Sequence, residues 1–236
     1  MKKKNKKNKK HLYTVIVVVL FIIIGLLVIG NGIMLSTLKS EVKNVKEKNI
    51  ITDKYDKNSY LLFGYGTILK TIKEYYYDNA SLIQEIIEIR NDPFLSKVLS
   101  YDNYSSDGTD FNKTISFLTE KKKKCDENFL ALTERYSNEY IENLVSKKVK
   151  KTYYKDLYKE LMLKDSDLKE YEDTRNYING LKTEIDNIFD VSTKVINFLI
   201  ENKESWELQE GQIKFKSREL FNTYNEMISL INKKEE

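Results

Sequence analysis

The longest apolar segment of the chain lies near its N-terminus, where residues 11–38 include no Asp, Glu, Lys or Arg. Within it, residues 15–29 read VIVVVLFIIIGLLVI and carry no polar side chain. Each Val, Leu, Ile or Phe near the bilayer centre favours insertion by roughly 0.3 to 0.6 kcal/mol, so this stretch contributes on the order of 5 kcal/mol. Lipid offers no partner to an unpaired backbone amide, so the segment must be helical. The pattern predicts a transmembrane helix over residues 12–35.

A shorter apolar seam follows this segment. Leu35, Leu38, Val42 and Val45 are spaced alternately three and four residues apart, which is the spacing of a coiled-coil seam. The seam loses its apolar character at Asn49 and Thr52. We therefore expect a helical stalk over residues 36–58, suited to pairing with a second copy, and a separate domain over residues 59–236.

Apolar residues in that domain recur every three or four positions along four segments, the spacing of one helix face. The first stripe consists of Leu61, Tyr65, Ile68, Ile72, Tyr75, Asn79, Leu82, Ile86 and Ile89. The second consists of Phe111, Ile115, Leu118, Lys122, Cys125, Phe129, Leu132 and Tyr136, and continues less regularly to Leu161. The third consists of Ile178, Leu181, Ile185, Ile188, Ser192, Val195 and Leu199, and a last one of Leu220, Phe221, Tyr224, Ile228 and Ile231. Helices with one buried face each predict an all-α fold, an elongated antiparallel bundle.

Two segments depart from this periodicity. Apolar and polar residues alternate around Gln209-Glu210-Gly211-Gln212, which predicts a β-hairpin over residues 205–216 docked on the helices through Trp206. Residues 100–110, SYDNYSSDGTD, have the composition of a solvated loop. A calcium-loop frame begun at Asp102 fails at several ligand positions, so we assign no ion site there.

Charge sets the expected orientation of the predicted span. Seven lysines and no acid precede it, namely Lys2, Lys3, Lys4, Lys6, Lys7, Lys9 and Lys10. The positive-inside rule then places residues 1–11 in the cytoplasm as a basic tail and the C-terminal domain outside the cell membrane, with the span acting as a signal anchor. A cleaved signal peptide is the alternative, with Gly30-Asn31-Gly32 as a poor cleavage site. Without the tail lysines, acids slightly outnumber bases, which argues against a nucleic-acid partner.

The sequence lacks the residues that most catalytic mechanisms need. The only histidine, His11, adjoins the predicted span, so the domain has no imidazole for a catalytic triad or a zinc site. The only cysteine, Cys125, lies on a core stripe, where we expect a buried, unreactive thiol. Gly64-Tyr65-Gly66 lacks the rest of a nucleotide-binding motif. Carboxylate pairs suited to a glycosidase arise by chance on so acidic a surface, and none is singled out. We expect no enzyme activity, no cofactor and no metal.

Tyrosine is unusually frequent, with 17 in the chain. Neighbours in a helix point about 100° apart, so the run Tyr75-Tyr76-Tyr77 must direct a ring away from the core. Exposed aromatic rings favour contacts with partners, so Tyr76 and Tyr77 are candidate contact residues, and Trp206 is a third if it is exposed instead of docked. The favoured explanation of this tyrosine content is a role at the core and its boundary in a lysine-rich, alanine-poor bundle.

These observations together favour a non-catalytic, single-pass membrane protein whose helical bundle binds another protein or self-associates at the cell envelope. The alternative is an extracytoplasmic sensory or ligand-binding bundle that signals through a partner, because a ten-residue tail cannot hold an output domain. A polar pocket between helices would favour the ligand-binding alternative, and a filled core with an apolar outer strip would favour the protein-binding one.

Overall fold

The computed structural model describes residues 2–50 and 52–232, and the side chains of residues 17–50 and 52–230. The chain is 76% helical, which confirms the predicted all-α class with one small hairpin. Its elements, in chain order, are α1 (Lys2–Lys46), α2 (Phe63–Arg90), α3 (Tyr101–Asp107), α4 (Asn112–Arg135), α5 (Asn138–Ser146), α6 (Thr152–Met162), α7 (Asp165–Glu201), β1 (Trp206–Gln209), β2 (Gln212–Phe215) and α8 (Arg218–Asn232), with a 3-10 turn at Leu95–Lys97.

The chain divides into two compact units. The first unit comprises Met1–Tyr77 and Asn143–Met162, and the second comprises Asp78–Glu142 and Leu163–Glu236. The first therefore contains α1, the N-terminal half of α2, and α6, while the second contains α3, α4, α7, the hairpin and α8.

Helix α1 is the one helix among the described residues that is long and apolar enough to cross a membrane, and a signal sequence would have the same properties. Its side chains from Val17 to Ile29 are exposed. Farther along the same helix, Leu38, Val42 and Val45 are buried. A single copy of the chain thus covers the stalk seam, so burying that seam does not require a second copy.

The first unit holds this end of α1 with ion pairs to α2 and α6. Lys73 lies 3.3 Å from Glu41, and Lys39 lies 2.9 Å from Glu160. Gly64 is required where α2 meets α6, because a Cβ at this position would come within 2.3 Å of the Tyr154 ring. Gly64 is therefore a close-packing position.

The second unit is built around α4 and α7, which run antiparallel. The Arg175 guanidinium donates to the Tyr136 carbonyl at one end, and Lys122 pairs with Asp186 toward the other. Most predicted stripe residues are buried in this unit, among them Ile86, Ile89, Leu118, Cys125, Phe129, Leu132, Ile178, Ile185, Val195 and Leu199. Leu82 is only half-buried, whereas its neighbour Ile83 is buried, so this turn of α2 departs from the predicted stripe by one residue.

The predicted loop at residues 100–110 is wrong, because its first part forms α3. Ser100 caps the helix by accepting from the Asn103 amide at 3.3 Å, and Tyr104 is buried. Asp107 accepts from the backbone amides of Lys113 and Thr114, at 3.1 and 2.8 Å, which satisfies the start of α4. Burial alone would raise the pKa of Asp107, but these hydrogen bonds outweigh it and hold the pKa below the usual range. Two of the polar residues that suggested a loop, Ser100 and Asp107, therefore serve as helix caps.

The predicted hairpin is confirmed. Strands β1 and β2 pair antiparallel with Gln209 opposite Gln212, and the two turn residues, Glu210 and Gly211, both have positive φ, as a tight two-residue hairpin turn requires. Trp206 is 6% exposed, and its indole nitrogen donates to the Leu199 carbonyl at 2.8 Å. The hairpin is therefore anchored to the C-terminal end of α7.

Candidate functional site

The strongest candidate site in the second unit is a surface groove of about 680 Å³ between α4 and α7, here called the α4–α7 groove. Leu118 is its buried apolar floor, and Leu130, which is 72% exposed, forms one wall. Thr193 and Lys194 line the opposite wall from α7. An isobutyl side chain so accessible on an otherwise charged helix face offers apolar area to whatever occupies the groove.

An ion-pair network lies along this groove. Lys122 lies 2.9 Å from Asp186, 3.6 Å from Asp126 and 3.9 Å from Asp190, and Lys182 lies 3.3 Å from Asp126. Lys182 also pairs with Asp186. Two lysines therefore face three aspartates across the two helices, which fixes their relative register and leaves one excess negative charge.

The pKa values of this network reflect mutual stabilisation. Burial disfavours the charged forms of Asp186 and Lys122, but the opposite charges outweigh it, so the pKa of Asp186 is lowered and that of Lys122 is raised. The hydrogen bond with Asp186 is the main cause that raises the pKa of Lys182. All three groups are therefore charged at neutral pH, and the groove presents fixed charges rather than a titrating acid or base.

Cys125 lies behind this network and takes no part in the surface. Burial, with a contribution from Asp126, raises the pKa of its thiol to about 11. The thiolate is the reactive form, so this side chain is a poor nucleophile at neutral pH. Among the residues whose positions the structure describes, no group of three or more His, Cys, Asp or Glu side chains is placed to hold a metal ion.

A second groove, between α2 and α4, has a different character. It encloses about 610 Å³ and is lined mostly by charged side chains, including Glu85, Asp92 and Lys124. Hydrogen bonds from Lys124 and Asn128 lower the pKa of Glu85, and Lys121 lies 3.2 Å from Asp92. These charges are largely satisfied by one another, so this groove offers less to a partner than the α4–α7 groove does.

The three predicted contact residues do not form one site. Tyr76 is buried and stacks on Tyr55, with ring centroids 6.1 Å apart. Trp206 is buried where the hairpin packs on the helices. Tyr77 is 40% exposed, with the Lys57 ammonium 4.0 Å from its ring centroid. The tail side chains, Lys2, Lys3, Lys4, Lys6, Lys7, Lys9 and Lys10, lie outside the described side chains.

Sequence reasoning missed Leu130. It lies off the second stripe, so the periodicity that identified the core passed over it. The available indication was a leucine on the polar face of a helix, one turn beyond Asp126. Comparison of the chain with protein-family profiles, curated proteins and solved structures found no match in any of the three.

Proposed function

We propose that this chain is a non-catalytic, membrane-anchored protein whose α4–α7 groove binds an apolar segment of a partner protein. In this proposal α1 is a signal anchor, the lysine-rich tail is cytoplasmic, and both helical units are extracytoplasmic. The observation that carries the proposal is the exposed Leu130 wall above the Leu118 floor. Apolar area framed by polar residues is typical of protein contact surfaces.

The surroundings of the groove favour a protein segment over a small ligand. Its floor is closed by the filled core of the second unit, where Leu118, Cys125 and Phe189 are buried, so there is no deep chamber at this point. Its rim carries both signs of charge, from Lys123, Lys194 and Glu127. A partner segment with apolar residues between charged ones would complement this arrangement.

Site-specific photocrosslinking in the producing cells tests the proposal. A photoreactive phenylalanine analogue replaces Leu130 in the full chain, and the matched control carries it at Tyr177, which is exposed on α7 outside the groove. We expect a discrete protein adduct from position 130 and none from position 177. The adduct should disappear when Thr193→Trp fills the groove, because Thr193 is exposed and its replacement leaves the core unchanged.

Equal adducts at both positions, or an adduct at position 130 that survives Thr193→Trp, would contradict the proposal. Absence of any protein adduct at position 130, with the chain present in the membrane fraction, would also contradict it and favour the sensory alternative.

A further inference from the structure

A group of exposed apolar side chains marks one end of the first unit. Leu62 and Phe63, at the start of α2, are 58% and 78% exposed, and Tyr60 and Tyr153 are also exposed. The Tyr65 and Tyr153 hydroxyls lie 3.2 Å apart, which joins the start of α2 to the start of α6. We call Leu62, Phe63 and Tyr153 the aromatic end; Tyr60, just before it, is held at the level of α1 residue Glu41, to which its hydroxyl donates at 2.9 Å.

The backbone presents Phe63 in an unusual way. Its φ is 55°, in the left-handed region that bulky side chains seldom occupy. Strain of this kind persists where the surrounding structure imposes it, and it is found preferentially at functional positions. Here the strained residue is also the most exposed apolar side chain of the first unit.

The ion pairs with α1 show how far along α1 the aromatic end lies. Lys73 of α2 meets Glu41, and Glu160 of α6 meets Lys39 at nearly the same level of α1. At about 1.5 Å rise per residue, Phe63 lies roughly 15 Å from Lys73 along α2. Tyr153 lies roughly 10 Å from Glu160 along α6 by the same rise.

That displacement runs along α1 toward its exposed apolar segment, residues 17–29. Tyr76, beyond Lys73 on α2, stacks on Tyr55, whose hydroxyl donates to the Lys48 carbonyl. Lys48 follows Glu41 along the chain, so α2 advances in the same direction as α1. Phe63, which precedes Lys73, therefore lies near the level of residues 31–34 of α1.

Those residues coincide with the bilayer boundary of the predicted span. A hydrocarbon core of about 30 Å takes about 20 helical residues. A span that begins between residues 12 and 15 therefore leaves the core near residues 32–35. Tyrosine is enriched at this boundary, where its ring contacts acyl chains and its hydroxyl contacts water.

The charges beside the aromatic end are positive. Residues 147–155 read KKVKKTYYK, and Lys150 and Lys151 are exposed just before α6. Neither α2 nor α6 has an acid in its first turn, so the positive ends of both helix dipoles remain uncompensated there. Lysines near a membrane surface are attracted to anionic headgroups.

We propose that the aromatic end docks on the surface of the bilayer that α1 crosses. Leu62 and Phe63 enter the headgroup region, and Lys150 and Lys151 contact anionic phospholipids. This contact holds the first unit against the membrane instead of leaving it on a free stalk. The inference rests on the anchoring part of the proposed function and not on its groove.

Fluorescence quenching in reconstituted vesicles tests the docking. The full chain carries one added cysteine with an environment-sensitive label, at Leu62→Cys, Tyr77→Cys or Val19→Cys, and the vesicles contain nitroxide-labelled lipids. The native Cys125 labels slowly at neutral pH because its thiol is buried and has a pKa of about 11. We expect lipid quenching at position 62 by headgroup nitroxides, at position 19 by deep acyl nitroxides, and at position 77 by neither.

Two variants test the chemistry of the contact. Phe63→Asn keeps a residue that tolerates positive φ but removes the apolar ring, and should abolish quenching at position 62. Replacing part of the phosphatidylcholine with anionic phosphatidylglycerol should strengthen that quenching. The double variant Lys150→Gln and Lys151→Gln should lower the ratio of docked to undocked first unit by about fivefold per lysine.

If position 62 is quenched no more than position 77 while position 19 is quenched, the docking is overturned and the membrane anchor stands. Failure to quench position 19 would instead overturn the membrane anchor, and with it both proposals. If quenching at position 62 is the same in Phe63→Asn and does not change with anionic lipid, the assigned contact residues are wrong.

Discussion

Removal of the Trp206 side chain is the most informative single change in the second unit. Its indole is 6% exposed, and its ring lies 6.1 Å from that of Phe111 between centroids. Its nitrogen donates to the Leu199 carbonyl in the last turn of α7, one of the carbonyls that have no partner within a helix. Trp206→Ala therefore removes both the packing and the hydrogen bond that attach the hairpin.

The expected loss follows from these two contributions. Truncating a buried aromatic side chain to alanine costs about 3 to 5 kcal/mol. Trp206→Phe retains most of the packing but leaves the Leu199 carbonyl without its donor, which costs about 1 to 3 kcal/mol. The difference between the two variants therefore separates packing from hydrogen bonding. Glu207→Ala, at an exposed neighbour on β1, is the matched control and should change stability by less than about 0.5 kcal/mol.

Denaturant unfolding of the full chain in detergent, followed by far-ultraviolet circular dichroism, gives these free energies. The single tryptophan also reports on its own site, so the wild-type emission should be blue-shifted and resistant to an aqueous quencher. Solvent-like emission together with a Trp206→Ala loss below about 1 kcal/mol would show that Trp206 does not anchor the hairpin, because a buried indole cannot be removed at so small a cost.

Three further predictions follow from burial and capping. Ile86→Ala should destabilise the chain by about 2 to 5 kcal/mol, and Leu82→Ala by clearly less, measured by the same unfolding assay, because only Ile86 is fully buried. The pKa of Asp107 is lower in the folded chain than in the unfolded chain, where it is about 4, so its ionised carboxylate stabilises the fold above that pH, and this stabilisation is lost as pH falls through the folded pKa. Asp107→Asn should therefore flatten the acid dependence of the melting temperature. The native Cys125 thiol should react with a soluble disulfide reagent far more slowly at neutral pH in the folded chain than after denaturation, and equal rates would contradict its burial.

Much of the fold could be predicted from the sequence because its periodicity is strong. The uncharged run from His11 to Leu38 is helical, the hairpin turn falls at Glu210-Gly211, and most stripe residues are buried, as expected. These features are encoded locally, by composition, by a turn that needs positive φ and by one-sided apolar spacing. Helices with one clearly buried face could therefore be predicted from the sequence.

The remaining features depend on contacts that local sequence does not specify. Residues 101–107 have loop-forming composition, yet they are helical because Ser100 caps them and Tyr104 is buried. Helix α7 begins at Asp165, well before the predicted stripe starts at Ile178, because Asp167 accepts from the Lys164 amide and caps the start. In each case capping groups and tertiary packing override the composition.

The candidate site was less predictable than the fold. Tyr76 and Trp206 looked suited to a partner because of their chemistry, but exposure depends on which face each helix or strand buries. Leu130 went unnoticed for the opposite reason, because a single apolar residue off a stripe is common on protein surfaces and gains meaning only beside Leu118 and α7. Sequence periodicity locates a core more readily than it locates a binding surface.

The membrane topology of the chain in intact cells decides whether α1 is a single-pass anchor with its N-terminus inside. Single cysteines introduced at Asn5, in the lysine-rich tail, and at Ser217, exposed just before α8, are treated with a membrane-impermeant thiol reagent on intact cells. We expect labelling at position 217 and none at position 5 until the membrane is permeabilised. Labelling at position 5 alone would reverse the orientation, and labelling of neither or both positions on intact cells would contradict a single-pass anchor with its helical units outside.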